Sequence, residues 1–109
     1  MGGSVKLNRD SKEIRAIVFR EGDSYVAQCL EFDIATQGGS ADEVLARLDL
    51  TVEYEFAACE RGGQAAEDCI PAAPNYYFSL WESGSIKLTR VNVSAPFHRN
   101  IEAVLAKAA

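Results

Sequence analysis

Residues 13–20, EIRAIVFR, are apolar on both of their alternating sets of positions, and this limits the folds open to the chain. The two sets are Ile14, Ala16 and Val18 on one side and Ile17 and Phe19 on the other. The β-branched and aromatic content predicts a strand, and a strand with one solvated face alternates between apolar and polar residues. We therefore expect the second face to be covered as well, either by the C-terminal half of the chain or by another subunit or partner. The sequence leaves both sources open.

Two more strands follow this first one. Residues 21–23, EGD, contain the glycine of a hairpin turn, and residues 24–32, SYVAQCLEF, again have strand composition. A corner at Asp33 leads to a third short strand over residues 34–37. The order predicts an antiparallel three-stranded sheet.

Residues 40–63 predict a long helix packed on that sheet. Ser40 and Glu43 have the spacing of a capping box, and Gly62 with Gly63 ends the helix. Apolar residues recur between them at steps of three and four, which gives one apolar face. These residues are Val44, Leu45, Leu48, Val52, Phe56 and Cys59.

The remaining residues predict a C-terminal extension over about 75–109, which follows a core over about 13–62. We expect a short helix over residues 75–82, a strand over 85–93, and a last helix capped by Ser94 with Phe97, Ile101, Val104 and Leu105 on one face. The predicted fold is therefore α+β (β-β-β-α, then helix, strand and helix), with residues 1–109 as a single domain.

The cysteines and the hydropathy of the chain indicate its setting. Cys29, Cys59 and Cys69 have unrelated spacings and His98 is the single histidine, so neither a zinc site nor a disulfide framework is expected. We interpret the cysteines as reduced, small buried hydrophobes. The chain has no apolar run near the roughly 20 residues of a membrane span. We expect a cytoplasmic protein that does not bind membranes.

The sequence offers little catalytic chemistry. It contains no GxSxG, Walker, GxGxxG or HExxH motif, and His98 has no nucleophile motif near it. Glu31 and Asp33 flank the corner as possible metal-binding carboxylates, but residues 14–20 supply no further acid. We expect a non-catalytic protein with no catalytic, metal-binding or cofactor-binding residues and no cofactor.

The charges are divided unevenly along the chain, whose net charge is −5. Residues 40–60 contain six acidic side chains against Arg47 alone, whereas residues 84–109 contain four basic side chains against Glu102. The acidic helix either attracts a basic partner, with Asp42, Asp49 and Glu53 as its contact residues, or is a solvated face.

Residues 14–48 resemble the HicB family of antitoxins and antitoxin-like proteins. The resemblance lies in the strand YVAQCLEF, in a further strand closing in QGGS, and in the helix opening SADEVLARL. Tyr25, Val26 and Ala27 match the family's aromatic-Val-Ala strand, and Gly39 with Ser40-x-x-Glu43 matches the start of its helix. The chain departs from the family in having no proline in CLEFDIATQG.

The resemblance implies a β-β-β-α unit related to a partial ribonuclease-H-like fold without the nuclease carboxylates. It also implies a protein that binds and blocks a small basic RNA-cleaving toxin. A stand-alone HicB-like homodimer or higher oligomer of unassigned role is the alternative.

Many members of the family add a C-terminal DNA-binding segment that represses their own operon. The stretch LTRVNVSAPFHRNIEAVLAKAA resembles the strand and first helix of a ribbon-helix-helix, in which Arg90 and Asn92 would enter the major groove. The other interpretation is a strand and helix that pack on the domain or form a dimer.

Overall fold

The computed structural model describes residues 13–83, 88–91 and 99–106, whose five strands form one mixed sheet. The strands are β1 Glu13–Glu21, β2 Ser24–Cys29, β3 Ala35–Gly38, β4 Leu88–Val91 and β5 Asn100–Ala106. Their order in the sheet is β3-β2-β1-β5-β4. The predicted antiparallel β1-β2-β3 unit is confirmed, but the sheet is larger than predicted, because β5 pairs parallel with β1.

Three helices accompany the sheet, and two of them lie on its opposite faces. They are α1 Ala41–Arg61, α2 Ala66–Cys69 and α3 Asn75–Ser83. Ile14, Ala16 and Val18 share a buried cluster with the inner face of α1. Ile17 and Phe19 share the second cluster with aromatic side chains of α3. Helix α3, in the C-terminal half of the chain, therefore covers the second face of β1. This is one of the two sources of cover that the sequence leaves open.

Local interactions fix both ends of α1, as the sequence predicts. The Ser40 hydroxyl accepts a hydrogen bond from the Glu43 backbone N–H at 3.0 Å, and the Glu43 carboxylate accepts one from the Gly39 N–H at 2.7 Å. Gly62 caps the other end, and Gly63 adopts a φ of +80°, a conformation that favours glycine. The predicted apolar residues of α1 lie in the core, with Phe56 only partly buried.

The predicted C-terminal helix is wrong, because residues 100–106 form β5. Ile101 and Ala103 lie in the α1 cluster, whereas Val104 lies in the α3 cluster. Apolar residues at positions 101, 104 and 105 fit a helical stripe in isolation, but pairing with β1 places them on alternating faces. The expected extension therefore contributes a strand beside the centre of the sheet. Ser94 and Phe97 lie outside the described residues.

The cysteine interpretation is correct for one residue and wrong for two. Cys29 is a buried free thiol, and burial raises its pKa to about 12. Cys59, in the last turns of α1, forms a disulfide with Cys69 at the end of α2. The chain turns back at Gly62 and Gly63, so α2 returns to the end of α1 although no sequence motif links the two cysteines.

Reduction of the Cys59–Cys69 bond should lower the free energy of unfolding by about 3 kcal/mol, because the unfolded chain regains the entropy of a loop of about ten residues. Urea denaturation followed by circular dichroism, with and without dithiothreitol, measures this loss. The Cys59→Ser/Cys69→Ser double variant is the control and should not respond to dithiothreitol. Equal midpoints for oxidised and reduced wild type would contradict the prediction.

The Cys29 thiol should make stability fall above pH 9. The unfolded thiol ionises near its ordinary pKa of 9.0, whereas the folded thiol stays neutral to about 12, so the unfolded state gains relative free energy as the pH rises between these values. The test compares urea denaturation at pH 8 and pH 10.5 in the Cys59→Ser/Cys69→Ser background, which prevents disulfide exchange. Adding Cys29→Ala should remove roughly 2 kcal/mol of this pH dependence. If Cys29→Ala left the pH dependence of the unfolding free energy unchanged, the prediction for the Cys29 thiol would be wrong.

Candidate protein-binding surface

The outer face of α1 carries two large hydrophobic side chains that the core does not use. Leu50 is 59% exposed and Tyr54 is 68% exposed. They are four residues apart and therefore neighbours on the helix surface. The face of a helix opposite the core is ordinarily polar, and exposed hydrophobic side chains grouped together mark interaction sites more often than isolated ones do.

Sequence reasoning missed this pair, although the sequence contains a signal for it. The predicted inner stripe runs through Leu48 and Val52, and at 100° per residue Leu50 and Tyr54 point away from it. Large apolar residues outside the stripe of an otherwise amphipathic helix are the pattern that would have identified them. We call Leu50 and Tyr54 the outer apolar pair.

The three acidic residues predicted to bind a partner have different environments. Asp42 is exposed in the first turn of α1. Asp49 is only 2% exposed and has interactions within the chain. The Glu53 carboxylate is 2.7 Å from Nη1 of Arg99, and its side chain is 44% exposed. The structure therefore does not bring the three together as one exposed surface.

Helix α1 as a whole is nevertheless acidic. Helix α1 contains six carboxylates against Arg47 and Arg61, a net charge of −4. Burial of Asp49 leaves −3 for the accessible part of the helix. A negative field of this kind favours the approach of a positively charged protein.

Arg47 connects this face of α1 to the edge strand β3. Its Nη1 donates to the Gln37 carbonyl at 3.0 Å and its Nη2 to the Glu43 carboxylate at 2.9 Å. The guanidinium therefore occupies one backbone carbonyl of this edge strand. A shallow cavity of about 490 Å³ lies beside this contact and includes Leu50 and Thr51. The geometry favours docking on the helix over strand addition to β3.

The possible metal-binding carboxylates are engaged elsewhere. Both the backbone N–H and the Nε–H of Arg15 donate to the Glu31 carboxylate at 2.7 Å. The same guanidinium lies over the rings of Phe78 and Trp81, at 5.6 and 5.4 Å from their centroids. Glu31 therefore joins the corner to β1 directly, and Arg15 extends this connection to α3. Asp33 accepts a hydrogen bond from the Gln28 amide at 3.1 Å.

Within the part of the chain that the structure describes, no group of three or more His, Cys, Asp or Glu side chains is arranged to hold a metal ion.

Of the two predicted DNA-binding residues, the structure describes one. Arg90 lies in β4, opposite Val104 of β5, and Asn92 lies outside the described residues. The ribbon-helix-helix interpretation requires a helix after this strand, whereas residues 100–106 form β5. His98 also lies outside the described residues.

Comparison with known proteins found no family model, no curated protein and no solved structure that matches the chain. Among the helices within residues 13–83, none has the length and apolar character to cross a bilayer. Functional inference for this chain therefore depends on its own geometry and on the resemblance of residues 14–48.

Replacing Glu31 with Gln should lower the free energy of unfolding by about 2 kcal/mol, because Arg15, whose side chain is only 28% exposed, would lose its ionised partner. Urea denaturation measures the change. Glu21→Gln, at the exposed end of β1, the strand that contains Arg15, is the matched control and should stay within about 0.5 kcal/mol of wild type. Equal losses in the two variants would show that the ion pair contributes nothing specific.

Proposed function

We propose that this protein is a non-catalytic, HicB-like binding protein that recognises a small basic protein through the outer face of α1, as an antitoxin recognises an RNA-cleaving toxin. The observation that carries the proposal is the outer apolar pair, Leu50 and Tyr54, exposed on a helix whose net charge is −4. The resemblance of residues 14–48 to the HicB family supplies the class of partner.

The two properties of this surface suit different stages of binding. Negative charge accelerates the encounter with a basic partner. Burial of large side chains, tyrosine above all, supplies much of the affinity of a protein interface. A surface that combines both fits a positively charged protein better than a nucleic acid, whose phosphates an acidic helix repels.

The backbone of the helix that carries the pair is held at its first turn and along its inner face. Its first turn is closed by Ser40 and Glu43, and its inner face is buried against the sheet. A partner therefore meets a preformed surface and does not bear the entropic cost of ordering it.

We place this function in the cytoplasm, where an RNA-cleaving partner acts. Disulfides are uncommon there and are often redox-sensitive, so the Cys59–Cys69 bond is expected to respond to the thiol balance of the cell. Binding at the outer apolar pair does not depend on that bond, because the pair lies more than one turn from Cys59 along α1.

A stand-alone oligomer is the second candidate. It is favoured by α3, whose aromatic side chains on the sheet are only partly buried and whose Tyr76 is 63% exposed. A homodimer formed through α3 would cover these rings. A DNA-binding autorepressor that uses Arg90 and Asn92 ranks below both, because the described residues place a strand where its helix was expected.

Affinity capture of the tagged protein from lysate of its source organism, followed by mass spectrometry, tests the proposal. We expect one small, strongly basic protein in stoichiometric amount. Calorimetry with the purified partner should give the Leu50→Ser/Tyr54→Ser variant a dissociation constant at least 100-fold higher than that of wild type. Buried anchors of this kind contribute about 2 kcal/mol or more each.

Tyr76→Ser, an exposed aromatic on a different helix, is the matched control and should bind like wild type. Self-association alone, abolished by Tyr76→Ser, would replace the proposal with the oligomer. Specific, salt-dependent binding to the protein's own promoter would replace it with the repressor.

A further inference from the structure

A second recognition feature lies between the last turns of α1 and the short helix α2. The two helices enclose a cavity of about 370 Å³, which we call the α1–α2 groove. Its apolar lining comes from Phe56, Ala57, Ala65 and Ala66. The Cys59–Cys69 disulfide holds the two walls together.

The charged lining of the groove is mainly negative. Among its described lining residues, Glu53, Glu60 and Glu67 contribute three carboxylates and Arg99 contributes one guanidinium, a net charge of −2. Helix α1 ends at Arg61, so the negative end of its dipole also lies here. The groove therefore attracts a cation.

The groove already holds one guanidinium, which belongs to the chain itself. The Arg99 guanidinium carbon lies 4.7 Å from the centroid of the Phe56 ring, and its Nη1 donates to Glu53 at 2.7 Å. A planar cation stacked on an aromatic ring and paired with a carboxylate is a favourable arrangement for arginine, and lysine cannot reproduce it.

The hydrogen bonding of Arg99 is incomplete. Its side chain is only 7% exposed, yet its buried Nε–H has no acceptor among the residues that the structure describes. A buried donor without a partner costs free energy that a bound acceptor would recover. This points to a ligand that brings a carbonyl as well as a cation, as an arginine residue within a peptide chain does.

We propose that the α1–α2 groove binds an arginine side chain of a protein partner. The aliphatic part of that side chain packs on Phe56, Ala57 and Ala66, and its guanidinium pairs with Glu60. A neighbouring backbone carbonyl accepts from the Nε–H of Arg99 once a small shift of the Arg99 side chain exposes that group. Glu67 adds negative charge to the wall. The identity of the partner as a small basic protein rests on the proposed function, whereas the chemistry of the groove does not.

The test is an NMR titration of the ¹⁵N-labelled protein with N-acetyl-arginine methylamide, which carries both a guanidinium and peptide carbonyls. We expect chemical-shift changes concentrated in residues 56–60 and 65–67, with a dissociation constant on the order of millimolar for so small a ligand. N-acetyl-citrulline methylamide, similar in size but uncharged, should produce none of them.

Glu60→Gln should weaken binding of the arginine probe about tenfold. Glu55→Gln removes the same charge from the same helix outside the groove, and it should change the affinity less than twofold. Neither substitution alters a core residue, so both variants should fold.

Three results would overturn the proposal. They are shifts spread over all exposed carboxylates, equal effects of the two variants, and equal affinity for N-acetyl-lysine methylamide. Failure of the proposed function appears in a different experiment, as retention of the captured partner by the Leu50→Ser/Tyr54→Ser variant.

Discussion

Burial of β1 on both faces is the constraint on which the rest of the fold depends. Ile14, Ala16, Ile17 and Val18 are each 2% exposed or less, and no single layer can exclude water from both sides of a strand. Helix α1 must cover one face and α3 the other, while β2 and β5 satisfy the two hydrogen-bonding edges. Strand β5, from the C-terminal part of the sequence, supplies the second of these edges.

The same constraint determines which side chains are available for recognition. Because α1 uses its inner stripe for the core, only its outer face and its C-terminal flank can meet a partner. Asp49 illustrates the consequence, because its place on the helix turns it into the protein although its charge suggested a surface role. Glu53 is half-exposed and already paired with Arg99. Charge counted along the sequence therefore overstates the charge that a partner meets.

Features encoded by neighbouring residues were predictable, whereas features that depend on distant pairing were not. The turn at Gly22, the cap at Ser40 and the inner stripe of α1 each depend on residues within a few positions, and the structure contains all three. Strand β5 depends on β1, more than 80 residues away, and its own apolar spacing suits a helix equally well. The Cys59–Cys69 bond likewise depends on the reversal after α1. The outer apolar pair was detectable from helical geometry, but the groove was not, because its walls meet only in the folded chain.

The recognition features on α1 differ in what they can contribute to binding. Leu50 and Tyr54 are open to solvent, so a partner gains free energy by covering them but little discrimination, since many apolar surfaces would do so. The proposed groove selects its ligand more strictly, because a cation that enters it loses water and must recover that cost from the Glu60 carboxylate and the apolar wall. Arg99 is held in a comparable way within the chain, by the Phe56 ring and the Glu53 carboxylate. A partner that reaches both sites would therefore take its affinity from the apolar pair and its specificity from the groove.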